Sequence, residues 1–214
     1  ALKFIGKTNF TGNLPGKITP LSYNGGESTG SVPAKAEALL SGGKRELEEA
    51  KGILTKMAAE LHWPISTSWH DSHLKISVMG KAAHATLPGL GVNAIGRLCS
   101  LMAKLDMAET YRRFFRFIGE NIALSPDLSG LGLAASHPHT GDITCNLAQL
   151  KGDNNNASFF VGIYIPAETI SFEDACSKIK SICLKEAIVL DIQTQMAPLL
   201  VSPQSRLIQA LSRG

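Results

Sequence analysis

Between Leu74 and Leu105 the spacing of the apolar residues changes once, and that change dictates the local fold. Leu74, Ile76 and Val78 recur at every second position, the period of a half-buried strand. From Asn93 onward Ile95, Leu98, Leu101, Met102 and Leu105 recur at helical spacing. Between them lies the turn Gly80-Lys81-Ala82-Ala83-His84-Ala85, then the loop Pro88-Gly89-Leu90-Gly91. A strand must therefore run into a glycine- and proline-shaped bend and leave it as a helix. His84 falls at the strand end, where its ring can present one hydrogen-bond donor to a ligand.

The rest of the chain alternates in the same way. Residues 1–30, rich in Gly, Asn, Thr, Ser and Pro, read as an irregular edge or junction segment of short strands and turns. Val32, Ala34, Ala36 and Ala38 alternate with Lys35 and Glu37 and describe a strand over 31–40, with Pro33 near its start. A helix from about Lys44 to Leu61 buries Leu47, Ala50, Leu54, Met57, Ala58 and Leu61, and Pro64 stops it. Two strands follow around His70-Asp71-Ser72-His73, a polar tip whose histidines read as a solvated turn rather than a metal site. A second helix carries Tyr111, Phe114, Phe115, Ile118 and Ile122 on one stripe.

Residues 123–141 form a loop-rich crossing, in which His137 and His139 flank Pro138 on opposite sides and are not expected to share a metal. Strands over 143–151 and 158–166 surround an Asn- and Asp-rich turn. Ser171 and Asp174 open a helix, 188–196 alternates as a strand, and a short helix is expected over 204–211. Strands and helices in this order imply an α+β fold with antiparallel-rich sheets and helices packed on one face. It divides into two ferredoxin-like α/β halves: 31–122, and 142–214, the latter ending in a return toward further sequence.

Composition narrows the function classes. The 214 residues are 44% apolar and 18% charged, enough for one sizeable core or two small ones. A net charge of +3 does not point to nucleic acid, and the local group Arg112, Arg113 and Arg116 reads as the wet face of a helix. No apolar run approaches a membrane span and no secretory leader pattern opens the chain. The absence of an opening methionine and the stop just after a helical pattern suggest a piece of a longer polypeptide. Cys99, Cys176 and Cys183 fall on apolar helix faces, and with Cys145 show no zinc spacing, so reduced thiols in a cytoplasmic protein are expected.

The spelling of residues 80–95, G-x-A-A-H-A-x-x-P-x-x-G-x-N-A-I, resembles the lid (dimerisation) domain motif of the M20-family zinc metallopeptidases. Within that family it is most similar to the peptidase V-like dipeptidases. The resemblance implies a doubled lid, whose two halves mimic a dimer, covering a small peptide substrate. It gives His84 the role of donor to the oxyanion of the tetrahedral intermediate, and Gly80, Pro88, Gly89, Gly91 and Asn93 that of shaping its loop. Two zinc ions would belong to a catalytic domain that is this chain's partner, because no H-x-D motif occurs here and Glu48-Glu49 reads as a solvated helix face. No cofactor and no metal ligand are expected in the chain itself, which alone should not hydrolyse anything.

Two positions depart from the pattern. Where such lids carry N-M-x-P this sequence has Gly30-Ser31-Val32-Pro33, so glycine replaces a substrate-binding asparagine. Where they carry R-Y-P it has Tyr164-Ile165-Pro166, and a phenol cannot reproduce the guanidinium fork that grips a carboxylate. Gly30 and Tyr164 are thus altered substrate-contact positions. Two alternatives stand beside the lid of an active enzyme: an M20-like domain serving only binding or assembly, and a ferredoxin-like small-molecule regulatory module.

Overall fold

The computed structural model describes residues 1–11, 15–196, 204, 205 and 209. Eight strands form one open antiparallel sheet: β1 (Leu2–Asn9), β2 (Ile18–Gly25), β3 (Lys35–Gly42), β4 (Ile65–His70), β5 (His73–Met79), β8 (Thr144–Asp153), β9 (Asn156–Tyr164) and β10 (Val189–Gln195). Their spatial order is β10-β1-β9-β8-β2-β3-β5-β4. A separate small hairpin pairs β6 (Ser136–His137) with β7 (Gly141–Asp142). Helices α1 (Lys44–Glu60), α2 (Ala94–Met102), α3 (Glu109–Arg116) and α4 (Phe172–Lys185) complete the α+β fold.

Alternation puts the core on one side of the sheet. Leu2 and Phe4 of β1, Ala36, Ala38 and Leu40 of β3, Leu74, Ile76 and Val78 of β5, and Phe159, Val161 and Ile163 of β9 are all buried. Against them pack Leu47, Ala50 and Leu54 of α1, Ile95, Leu98 and Leu101 of α2, and Ile179 and Cys183 of α4. The opposite face alternates with polar residues such as Lys35, Glu37, Lys75 and Ser77. Leu61, expected on the α1 stripe, is 46% exposed because the helix ends one residue earlier.

The N-terminal thirty residues correct the expectation of an irregular edge segment. Both β1 and β2 are eight residues long and lie inside the sheet, β1 between β10 and β9, β2 between β8 and β3. Their inward positions include Gly6, Thr8, Pro20 and Gly25. A Cβ on Gly6 would sit 2.1 Å from the Phe159 ring, and one on Gly25 would sit 2.6 Å from Ile95. Tight contact selects small residues there, which hides the two-residue period.

These strands also change how the two halves are assembled. Outward from the centre, one side reads β2-β3-β5-β4 with α1 between β3 and β4 in the chain. The other side reads β8-β9-β1-β10, with α4 between β9 and β10. The second half thus takes its counterpart of β5 from the beginning of the chain. The halves meet where β2 pairs with β8, Ser22 opposite Asp153 and Gly25 opposite Leu150.

Smaller differences have local causes. β3 begins at Lys35 rather than Ser31, since residues 30–33 pair instead with the motif loop. The aromatic helix does not stay α-helical: Phe117–Ala123 widens into π-helical turns, closed by Leu124 N–H donating to the Gly119 carbonyl at 2.9 Å. The helix expected over 204–211 lies largely outside the described residues.

On the helix-free face the Glu37 carboxylate accepts from the Ser77 hydroxyl at 2.6 Å and pairs with Lys35 at 3.0 Å and Lys75 at 3.2 Å. The Ser77 hydrogen bond first, then the two ammonium groups, hold this carboxyl down at about 2. A carboxyl depressed by folding adds stability above its ordinary value of 4.5, and that contribution disappears as the pH falls toward 2. Glu37→Gln is therefore expected to flatten the acid limb of the stability curve over that window, as read by urea denaturation at pH values on either side of it. An unchanged acid limb would count against the β3–β5 cluster.

Candidate functional site

The motif loop is fixed by backbone pairing on two sides. On one side Gly80 N–H donates to the Ala34 carbonyl at 2.8 Å, Val32 N–H to Ala83 at 2.9 Å, and Ala85 N–H to Gly30 at 2.9 Å. His84 and Ser31 consequently face each other in an antiparallel bridge. On the other side Lys81 and Val92 exchange two hydrogen bonds of 2.9 Å. The buried Pro88 opens a single 3-10 turn, Pro88–Leu90, that closes the loop.

The motif glycines do different work. A Cβ on Gly80 would meet the Val92 carbonyl oxygen at 2.1 Å, and one on Gly91 the Lys81 carbonyl oxygen at 2.8 Å. Neither has a positive φ, so space rather than backbone conformation requires glycine there. Gly89 has nothing within 4 Å of that position. Asn93 caps α2, its Oδ1 accepting from Ile95 N–H at 3.0 Å and Gly96 N–H at 3.3 Å. Its Nδ2 donates to the Leu147 carbonyl at 2.8 Å and ties the helix start to β8.

His84 itself is exposed. Its Nδ1 lies 2.7 Å from Thr86 Oγ1 and 3.3 Å from Thr86 N. Nε2 is on the opposite side of the ring and has no hydrogen-bond partner among the described residues. A histidine anchored through its backbone, held at one nitrogen and open at the other, can offer a directed N–H to an incoming oxygen.

The structure brings Gly30 directly beside this residue and leaves Tyr164 farther off. Gly30 is exposed, and its carbonyl accepts from Ala85, the residue after His84. Tyr164 ends β9, half-buried and opposite Thr144 of β8. Between the two runs the segment 30–33, joined to β8 by Asn146 Nδ2 donating to the Ser31 carbonyl at 2.9 Å.

Two residues of this region escaped the sequence reading. Thr86 was visible only as H-x-T spacing, and Asn146 only as one amide in an otherwise apolar run. Asn146 is 2% exposed, and its Oδ1 has no partner among the described residues. A hollow of about 200 Å³ beside the loop is lined by Val32, Pro88, Gly91, Asn93, Leu124 and Asn146. A larger hollow, of about 440 Å³, lies on the helix-free sheet face around Asn24, Lys35, Gln149 and Phe160, and none of the motif residues lines it.

The other candidate groups do not assemble into a second centre. His70 and His73 pair across the β4–β5 turn, where Asp71 adopts a positive φ of 52°. His137 and His139 have ring centroids 5.8 Å apart, and His137 Nδ1 accepts from His139 N and Thr140 N at 3.3 Å each. Among the described residues no three of His, Cys, Asp and Glu come together to hold a metal ion. The described residues therefore offer no donor set for a zinc ion. All four cysteines are thiols, and burial pushes those of Cys145 and Cys183 up to about 12, far from nucleophilic. None of the described helices is long and apolar enough to cross a membrane.

No family model matches the chain. It is 26% identical over 159 residues to a Staphylococcus aureus (strain MRSA252) protein named "Putative dipeptidase", covering 74% of this chain and 34% of that one. The namesake of strain USA300 matches with the same identity and coverage. The chain thus spans about a third of the length of these curated relatives. The aminoacylhistidine dipeptidase of Vibrio alginolyticus is similar at 11% identity, over 90% of this chain and 43% of that one. Its TM-score of 0.32 is too low for a shared fold to be read from it. The motif stands on a strand–bend–helix frame, and the alignment over three quarters of the chain makes this polypeptide similar to proteins named as dipeptidases.

Proposed function

We propose that this chain is the substrate-covering lid of a zinc-dependent M20 dipeptidase, contributing His84 to an active site completed by a catalytic domain outside it. The observation that carries the reading is the exposed His84, its backbone bridged to Ser31 and its ring held at Nδ1 by Thr86. When water adds to a peptide carbonyl, negative charge gathers on the oxygen. An N–H already aimed at that position stabilises the charge without having to reorganise. The zinc of this reading is held elsewhere in the polypeptide, because these residues offer no ligand set for it. Four thiols and a small peptide substrate accord with a cytoplasmic setting.

One observation favours a second reading, a lid that kept assembly and lost hydrolysis. Gly30 and Tyr164 supply neither the amide nor the guanidinium that such lids use on substrate. The two readings part on one experiment. The complete polypeptide, loaded with zinc, is expected to hydrolyse dipeptides, to stop on chelation, and to recover when zinc is restored. Absence of hydrolysis across a broad dipeptide panel would sink the first reading in favour of the second.

A further inference from the structure

The loop that carries His84 also decides which ring nitrogen bears the proton. A neutral imidazole has one N–H and one lone pair, and which nitrogen has which is set by the partners around it. Two atoms of Thr86 converge on Nδ1: Oγ1 at 2.7 Å and the backbone nitrogen at 3.3 Å. A hydroxyl can give or take a hydrogen bond, whereas an amide N–H can only give one. A protonated Nδ1 would point its hydrogen at the amide hydrogen, while a lone pair there accepts from both groups. The amide thereby removes the ambiguity that the hydroxyl leaves.

We propose that Thr86 is a positioning residue that holds neutral His84 as the Nε2–H tautomer, so that the outward nitrogen is always the donor. The Thr86 hydroxyl donates its proton into Nδ1, and the ring's single N–H is left on the exposed side. No bond to hydrogen changes hands in this arrangement. The hydroxyl and the amide select one of two states that an unconstrained ring would populate together. The use made of that donor rests on the oxyanion role proposed above; the tautomer does not. An exposed ring with the opposite tautomer would offer a lone pair to developing negative charge and repel it.

The test reads nitrogen directly. The intact chain is prepared with ¹⁵N-labelled histidine, and two-bond ¹H–¹⁵N correlations are recorded well above the ordinary histidine range, where the rings are neutral. His84 is assigned as the ring missing from His84→Gln. In the wild type its Nδ1 is expected at the position of a lone-pair nitrogen and Nε2 at that of a protonated one. Thr86→Val removes the hydroxyl but keeps the amide, and the Nδ1–H share is expected to rise about fivefold, the worth of one ordinary hydrogen bond. Thr86→Ser should restore the wild-type pattern. The unchanged signal of the largely buried His137, whose Nδ1 accepts from His139 N and Thr140 N, reports that each variant has folded. A protonated Nδ1 in the wild type, or a Thr86→Val pattern identical to wild type, overturns the proposal. Because turnover is not the readout, a catalytically silent His84 would retire the lid reading and leave this result standing.

Discussion

On the proposed lid role, His84→Ala in the complete polypeptide is expected to lower kcat for dipeptide hydrolysis by about 10²–10³-fold, with KM changed far less. The split follows from when the interaction is made. The ground-state carbonyl carries little charge, so the His84 N–H contributes little to binding. The tetrahedral oxyanion carries nearly a full charge, and one removed donor costs roughly 3–4 kcal/mol at that point. The residue lies on an exposed bend held by backbone hydrogen bonds at Ala83 and Ala85, which alanine keeps. Zinc content and thermal stability should therefore match the wild type, so a fall in turnover reports on the ring alone. Turnover within threefold of wild type would remove His84 from the chemistry. A parallel fall in kcat and zinc content would instead mean that the change had reached the catalytic domain.

The second large effect is structural. Gly80→Ala is expected to destabilise the fold by about 3 kcal/mol, the upper end for overpacking, because the added carbon meets backbone rather than a yielding side chain. It would sit 2.1 Å from the Val92 carbonyl oxygen, 2.9 Å from Ala94 N and 3.1 Å from the Pro33 carbonyl oxygen. All three atoms belong to the pairings that position the loop, so relief in any direction breaks the Lys81–Val92 or the Ala94–Pro33 contact. For a chain of this size the loss corresponds to a fall in Tm of roughly 6–12 °C. Gly89→Ala, with open space at the same atom, should stay within about 0.5 kcal/mol of wild type. Equal melting temperatures for the two variants would mean that the loop is not packed as described.

How much of this could be read from the residues depended on what filled the inward positions. The β5 strand was plain because Leu74, Ile76 and Val78 fill them, and α4 because Ser171 caps it, accepting from Asp174 N–H at 3.0 Å. β1 and β2 were not legible, since Gly6, Thr8 and Gly25 occupy inward slots where only close packing explains them. The periodicity of Tyr111, Phe114, Phe115, Ile118 and Ile122 reported a buried stripe correctly. It could not report that the last turns widen, because a stripe of that length fits either winding. For the candidate site, the motif located His84, its loop and the Asn93 cap. The Thr86 contact and the buried Asn146 amide arise from where the chain folds back, which no local pattern encodes.

The placement of β1 has a consequence for a ribosome making this protein. Phe4 pairs with Val161 on one side and Ile192 on the other, so the strand emerges about 150 residues before either neighbour exists. At ordinary elongation rates that interval is roughly 8–30 s. Throughout it Leu2 and Phe4 have no sheet to enter, while β2 to β5 can already close around α1. Synthesis thus leaves an unpaired apolar ribbon tethered beside a nearly finished half until β9 and β10 arrive to flank it.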